Sequence, residues 1–171
     1  MRLGRAVHWE TVVLPAWRRA ACSSEDANAD VWRHLPPDCC WLQGEIETPD
    51  IEKMFIIGSQ DWFDVFGAYQ LGHIAQRIQA DRAAQAPDDI WQHHSHVQYL
   101  YDSYCRQSRP AQPLMLAAAD ARGPFVLLDG NHRALALYLL RQLVGQPCFV
   151  ALHASMEQDF LWMRRALSAL S

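Results

Sequence analysis

The clearest block of apolar positions is Phe125 to Leu128, four residues that predict a short buried strand. Ala134 to Leu140 follows as an apolar run of good helix formers. Five polar or flexible residues, Asp129-Gly-Asn-His-Arg133, separate the two. Upstream, Leu114 to Ala119 predicts a strand, and Asp120-Ala-Arg-Gly123 predicts a hairpin turn in which glycine takes a positive φ. The strand at 125–128 then returns antiparallel. After a helix over 132–143, Gly145-Gln-Pro147 resets the chain and Cys148 to Leu152 predicts another strand. Ser155 with Gln158 fits a capping box, and Phe160, Met163, Leu167 and Leu170 predict a final amphipathic helix.

The first half is patterned more loosely. Met54 to Ile57 predicts a strand, Gly58-Ser-Gln-Asp61 a turn, and Phe63, Phe66, Gln70, Leu71, Ile74 and Ile78 one helical face. Gly67 and Gly72 weaken that helix, each costing about 1 kcal/mol against alanine. Ser59 or Asp61 can cap it. Residues 79–90 read as an alanine-rich helix end and a Pro87-Asp-Asp89 break. A second helix is expected from Ile90 to Gln107, with Ile90, His94, Val97, Tyr101 and Tyr104 on its stripe. Its histidines, His93, His94 and His96, read as packed or solvated rather than metal-binding, because only His93 and His96 share a face and no H-E-x-x-H is present. Pro110-Ala-Gln-Pro113 reads as a stiff connector.

Residues 1–50 carry the weakest pattern. Ala6 to Leu14 suits a strand or the start of an amphipathic helix, Ser23 to Asp30 a loop or the start of a short helix through Trp32 and Leu35, and Pro36-Pro37 a stop. The expected organisation is an N-terminal extension, 1–50, packed on a domain of residues 51–171. The expected fold class is α/β (α+β), a small mixed sheet flanked by helices.

With 171 residues, half of them hydrophobic, the chain can bury an ordinary single core. A net charge of −4 argues against a basic surface made for nucleic acid. Fourteen of the fifteen basic residues are arginine and Lys53 lies in no P-loop, so any phosphate must be held by arginine forks and backbone. Five cysteines without C-x-x-C spacing predict reduced thiols in a cytoplasmic protein, with the vicinal Cys39 and Cys40 both buried. No clean signal region and no apolar run of membrane-spanning length is seen.

The chemistry concentrates at Asp129 to Arg133. A carboxylate, a glycine, an amide, an imidazole and a guanidinium sit where a strand hands over to a helix, whose unpaired N–H groups favour an anion. These residues read as an oxyanion site, with phosphate the leading ligand. The bland alternative is a capped turn in which Arg133 pairs with a carboxylate.

The order strand, turn, strand, D-G-x-x-R-A turn, helix, strand from Leu114 to Leu152 resembles the ParB/sulfiredoxin superfamily. There it forms the nucleotide-binding centre of a small α/β domain. Ile56-Ile-Gly-Ser-Gln-Asp61 resembles the turn supplying the other side of that pocket. Asn131 stands where sulfiredoxins carry cysteine, which removes sulfinic acid reduction. The G-E-R-R-x-R-A of chromosome-partition ParB proteins is replaced, and no helix-turn-helix follows. The D-G-H-T-R-A of free-serine kinases aligns with Asp129 to Ala134, keeping aspartate, glycine, arginine and alanine. Small fertility-inhibition factors of the Osa type resemble the chain in size.

The resemblance implies binding and hydrolysis of a nucleoside triphosphate, ATP, with Mg²⁺, together with DNase activity and inhibition of plasmid or T-DNA transfer. Its implied partners are a nucleotide and DNA or a DNA-transfer apparatus. The implied catalytic residues are Asp129, His132 and Arg133, with Asp129 also at the metal. Gly130, Asn131, Arg133, Ser59 and Gln60 are implied at the nucleotide, and Glu45, Glu47 or Asp61 is an additional metal carboxylate to consider. A small-molecule kinase and a nucleotide-gated inhibitory protein without catalysis are the alternatives.

Overall fold

Strands β4 (Leu114–Ala118) and β5 (Phe125–Asp129) are buried at every position except Asp129, which is why they read as unbroken apolar runs rather than alternating ones. They form the expected hairpin, with Leu116 opposite Leu127. Gly123 takes φ 78° in the connecting turn, where the Asp120 carboxylate accepts the Arg122 N–H at 2.6 Å. This computed structural model describes residues 1–20, 29–84, 92–106 and 112–168.

Around that hairpin lies a six-stranded mixed sheet ordered β1-β2-β6-β4-β5-β3, in a mixed α/β fold. Strand β6 (Pro147–Leu152) runs parallel to β4, and β3 (Met54–Phe55) runs parallel to β5 on the other side. The N-terminal residues extend the sheet itself: β1 (Arg2–Val7) and β2 (Cys40–Glu45) pair antiparallel, and β2 pairs antiparallel with β6. Strands β1 and β2 therefore share the sheet with the rest of the chain.

Helices α1 (Leu14–Ala20) and α2 (Ala29–Arg33) follow β1, and a wide π-turn over Trp9–Val13 leads into α1. Pro15, the second residue of α1, follows the π-turn without a break, so its missing N–H falls inside a continuous helical run. The loop expected at 23–28 lies outside the described residues. Between β2 and β3 the chain makes a 3₁₀ turn at Thr48–Lys53, where Glu47 and Asp50 exchange side-chain-to-backbone bonds in a capping box.

The single helical face expected from Phe63 to Ile78 is two helices, α3 (Gln60–Phe66) and α4 (Leu71–Ala83). Gly67 adopts φ 65° and ends α3, its N–H donating to the Phe63 carbonyl at 2.7 Å. The released segment runs along the open side of β3, where the Ile56 N–H donates to the Tyr69 carbonyl at 2.9 Å. The break rotates the register, so Trp62 is 3% exposed while Phe63 is 38% exposed.

Helix α5 (Gln92–Arg106) agrees with the expected second helix, burying Val97 and part of Tyr101 and Tyr104. Helix α6 (Asn131–Leu139) is shorter than the expected 132–143, since Arg141 already takes a positive φ. Helices α4 and α5 both pack on α6. The final helix is broken into α7 (Met156–Asp159) and α8 (Leu161–Ser168), with Phe160 extended between them. The capping box does not form: Ser155 Oγ lies 2.8 Å from His153 Nδ1 instead of capping α7.

Two expectations about thiols differ from the structure. Cys39 is half-buried but Cys40 is exposed, because successive residues of the strand start face opposite sides. Burial, with Asp38 and Cys40 adding to it, pushes the Cys39 thiol up to about 11. Among the described residues no helix is long and apolar enough to cross a membrane.

Candidate functional site

Strands β3 and β5 are parallel neighbours, so the turns at their carboxyl ends come out at the same end of the sheet. Each turn enters a helix, α3 after residues 56–59 and α6 after Asp129 and Gly130. The two turns are joined by one hydrogen bond, in which the Ile57 N–H donates to Asn131 Oδ1 at 3.1 Å. Asn131 is thus a latch between turns, and the two sequence stretches read as opposite sides of a pocket are contiguous.

Gly130 is the position before α6 and takes φ 86°, a conformation that a side chain rarely adopts. A Cβ there would lie 2.6 Å from Leu114 Cδ2 and 2.7 Å from Arg133 Nη2. The glycine is required by the guanidinium folded against it. Arg133 is 8% exposed and points back into the fold. Its Nη1 donates to Gln112 Oε1 at 2.7 Å, its Nη2 donates to the Pro113 carbonyl at 3.3 Å, and Nη2 lies 3.6 Å from Asp129 Oδ2. Arginine's planar fork suits this three-way role, tying the connector before β4 to the carboxylate at the end of β5.

The other predicted side chains have specific surroundings. His132 lies between two rings, with His96 of α5 at 4.5 Å and nearly parallel, and Trp62 of α3 at 4.8 Å. It therefore sits in a wall of packed rings between α3, α5 and α6. The side chains of His93 and His94 lie outside the described residues. Gln60 Nε2 donates to Asp64 Oδ1 at 2.7 Å along its own helix. Ser59 stands before α3 and makes no side-chain capping bond. Asp129 is a half-buried carboxylate beside Arg133.

Of the additional carboxylates, Glu45 pairs with Arg2 on β1, and Glu47 belongs to the 3₁₀ turn with Asp50. Neither stands at the turns, since β2 is separated from β5 by β6 and β4. Asp61, in the first turn of α3, is the one next to them.

Several residues at this end of the sheet carry little sequence signal. Gln112 is marked only by the proline after it, which holds it extended. Trp62 sits in a helical stretch without any motif, and His96 draws notice only as one of three histidines, with nothing to pair it with His132. Gly58 is legible as part of a turn but its contact is not: a Cβ there would collide with the Trp162 carbonyl and come within 2.7 Å of the Ala166 nitrogen. Helix α8 therefore lies directly on the 57–60 turn, and Arg165 comes with it.

The paired turns can offer an anion the main-chain N–H groups at the start of α6, the Ser59 hydroxyl and the local field of the helix end. They also present the carboxylate of Asp129, with Asp61 next to them. Comparison with protein-family models, with curated proteins and with solved structures gives no match.

Proposed function

We propose that the chain binds a nucleoside triphosphate, ATP, across the turns at residues 57–60 and 129–133 and hydrolyses it. The observation carrying this reading is the Ile57–Asn131 bond, which joins two strand-to-helix turns at the carboxyl ends of adjacent parallel strands. Open α/β sheets build ligand sites at such ends. The resemblance of Leu114 to Leu152 to the ParB/sulfiredoxin superfamily points to the same ligand.

In this reading the N–H groups opening α6 and the Ser59 hydroxyl hold phosphate oxygens. Asp129 faces the metal or the attacking water, and Arg133 acts by fixing Asp129 and the Gln112–Pro113 connector. His132 closes the side of the pocket through its stack with His96. Asp129, with Asp61 next to the turns, fits Mg²⁺, which binds through one or two carboxylates and the phosphates of its ligand. When bound, Mg²⁺ neutralises charge on the phosphates. The wider reading places the protein in the cytoplasm, with DNA cleavage and interference with plasmid or T-DNA transfer as its outcome.

Titration with Mg²⁺ and a non-hydrolysable ATP analogue, followed by phosphate-release measurement with ATP, tests the reading. Saturable binding and turnover without an acceptor are expected, with Asp129→Asn retaining binding and losing turnover. Turnover only with an added hydroxylated metabolite would favour the kinase, and binding without turnover the gate. No binding would overturn the nucleotide assignment. Mg²⁺-dependent nicking of supercoiled plasmid, lost in Asp129→Asn, tests the DNA step.

A further inference from the structure

The arginine inside the paired turns is not placed to meet a phosphate. Arg133 commits its fork to Gln112, Pro113 and Asp129, and its Nε is buried against Gly130 without a partner. A triphosphate stays anionic with one Mg²⁺ bound, and phosphoryl-transfer sites set a protein cation against that charge. Asp129 and Asp61 add negative charge at the same place. These groups leave the site short of a cation.

Helix α8 brings one. A Cβ on Gly58 would lie 2.8 Å from Arg165 Cβ, so the stem of Arg165 starts on the 57–60 turn itself, beside the residue that precedes Ser59. The tryptophans Trp9, Trp17, Trp32 and Trp41 beside β1 and β2 pack on one another. Trp162 instead faces this arginine, whose guanidinium carbon is 5.7 Å from the ring centroid. Arg165 is exposed and makes no ion pair among the described residues. An exposed contact of this kind is weak, so the fork is free to leave the ring.

Its charge acts in the same space as the first turn of α3. Burial raises the Tyr69 phenol above its ordinary value, Arg165 opposes that shift, and Asp61 and Asp64 add to it. A cation and a carboxylate thus stand together beside the turn, as a phosphate and its Mg²⁺ require. Other described cations are placed elsewhere. Lys53 ends the 3₁₀ turn before β3 and donates from Nζ to the Arg122 carbonyl at 3.2 Å, and Arg141 follows the far end of α6. As a last-turn cation Arg165 also suits the carboxyl end of α8, a role that needs no ligand.

We propose that Arg165 is the phosphate-binding cation of this site, leaving Trp162 to grip the terminal phosphate of a polyphosphate chain beside Ser59. This rests on the nucleotide reading of the paired turns, and it makes the site selective for a chain of phosphates over a single one. The N–H groups opening α6 take the inner phosphates, and a monophosphate held there is too short to meet Arg165.

The test titrates the full chain, in Mg²⁺, with a non-hydrolysable ATP analogue, with AMP and with inorganic tripolyphosphate, following the indole N–H signals in ¹H–¹⁵N spectra. The analogue is expected to bind about tenfold or more tighter than AMP and to shift the Trp162 signal, which AMP should leave in place. Arg165→Ala and Arg165→Gln should each lose about that tenfold and keep AMP binding unchanged, the core tryptophan signals reporting the fold. Arg164→Ala, on another side of α8, should change neither. A helix-end role alone would lower the stability of Arg165→Ala without touching the selectivity. Analogue binding by Arg165→Ala equal to that of the unmodified protein would overturn the proposal and leave the nucleotide reading standing. Arg165-dependent binding of tripolyphosphate without binding of the analogue would do the reverse, and no binding of either would overturn both.

Discussion

Asn131 Oδ1 accepts the backbone N–H of Ile57 at 3.1 Å, so one amide side chain spans 74 residues of chain to hold two turns together. Asn131→Ala leaves that donor, on a buried residue, without its partner, and a loss of about 1–3 kcal/mol in urea unfolding is expected. Asn131→Asp keeps an acceptor at the same place and should recover part of the loss. Equal stabilities of the two variants would rule out the latch.

Arg133 carries a different load. Removing it leaves Asp129 without its neighbouring cation and Gln112 without its donor, so Arg133→Ala is expected to cost about 2–4 kcal/mol. Arg133→Lys should fail to restore it, because a single ammonium cannot reach Gln112 Oε1, the Pro113 carbonyl and Asp129 in one plane. A double-mutant cycle with Gln112→Ala should give a coupling of about 1 kcal/mol. Zero coupling would separate the two residues.

Gly130→Ala combines a left-handed backbone with a methyl group aimed at Leu114 and the Arg133 fork. A loss of at least about 1–2 kcal/mol is expected from the backbone alone. The Tm difference should exceed that of Gly145→Ala, where φ is 79° but nothing stands near the added methyl.

The thiols offer a pH prediction. Burial, then Asp50, pushes the Cys148 thiol up to about 12, with the N-terminal ammonium opposing, and burial raises Cys39 to about 11. Both stay protonated in the folded chain while the unfolded chain ionises near 9. Their contribution to stability is complete below pH 9 and is lost as pH rises through the folded values. In native protein at pH 8, alkylation mapped by mass spectrometry should label Cys40 and Cys105 quickly and Cys148 slowly. Rapid native labelling of Cys148 would contradict its burial.

His96, an exposed residue of α5, stacks nearly parallel on His132 of α6. His96→Ala should cost about 0.5–1.5 kcal/mol and act locally. Faster hydrogen exchange along α5, with β4 and β5 unchanged, is the expected pattern.

The sequence made the centre of the fold readable where local patterns and tertiary burial agree. Leu114 to Leu128 has an apolar run, a glycine turn and a second apolar run, and the hairpin follows. The helical face from Phe63 to Ile78 misled because Gly67 could be tolerated or could terminate, and the free edge of β3 beside it made termination favourable. At the candidate site the residue types were visible but their partners were not. Nothing local shows that Arg133 folds back onto Gln112, or that Asn131 reaches Ile57 rather than a ligand. Residues 1–50 were opaque because β1 and β2 are edge-side strands with Gly4 and Gly44, and their register is set by β6 at the far end of the chain.

That register bears on how the chain acquires its structure. Cys40 faces Leu152 and Glu45 faces Pro147, so β2 waits for a partner more than a hundred residues downstream. Until β6 has been synthesised, β1 and β2 can form only an isolated hairpin, which has marginal stability by itself. The cluster of tryptophans beside them would stay open to solvent for that interval. Such long-range pairing slows folding, and fluorescence from this end of the sheet should reach its native value later than signals from the β4–β5 hairpin.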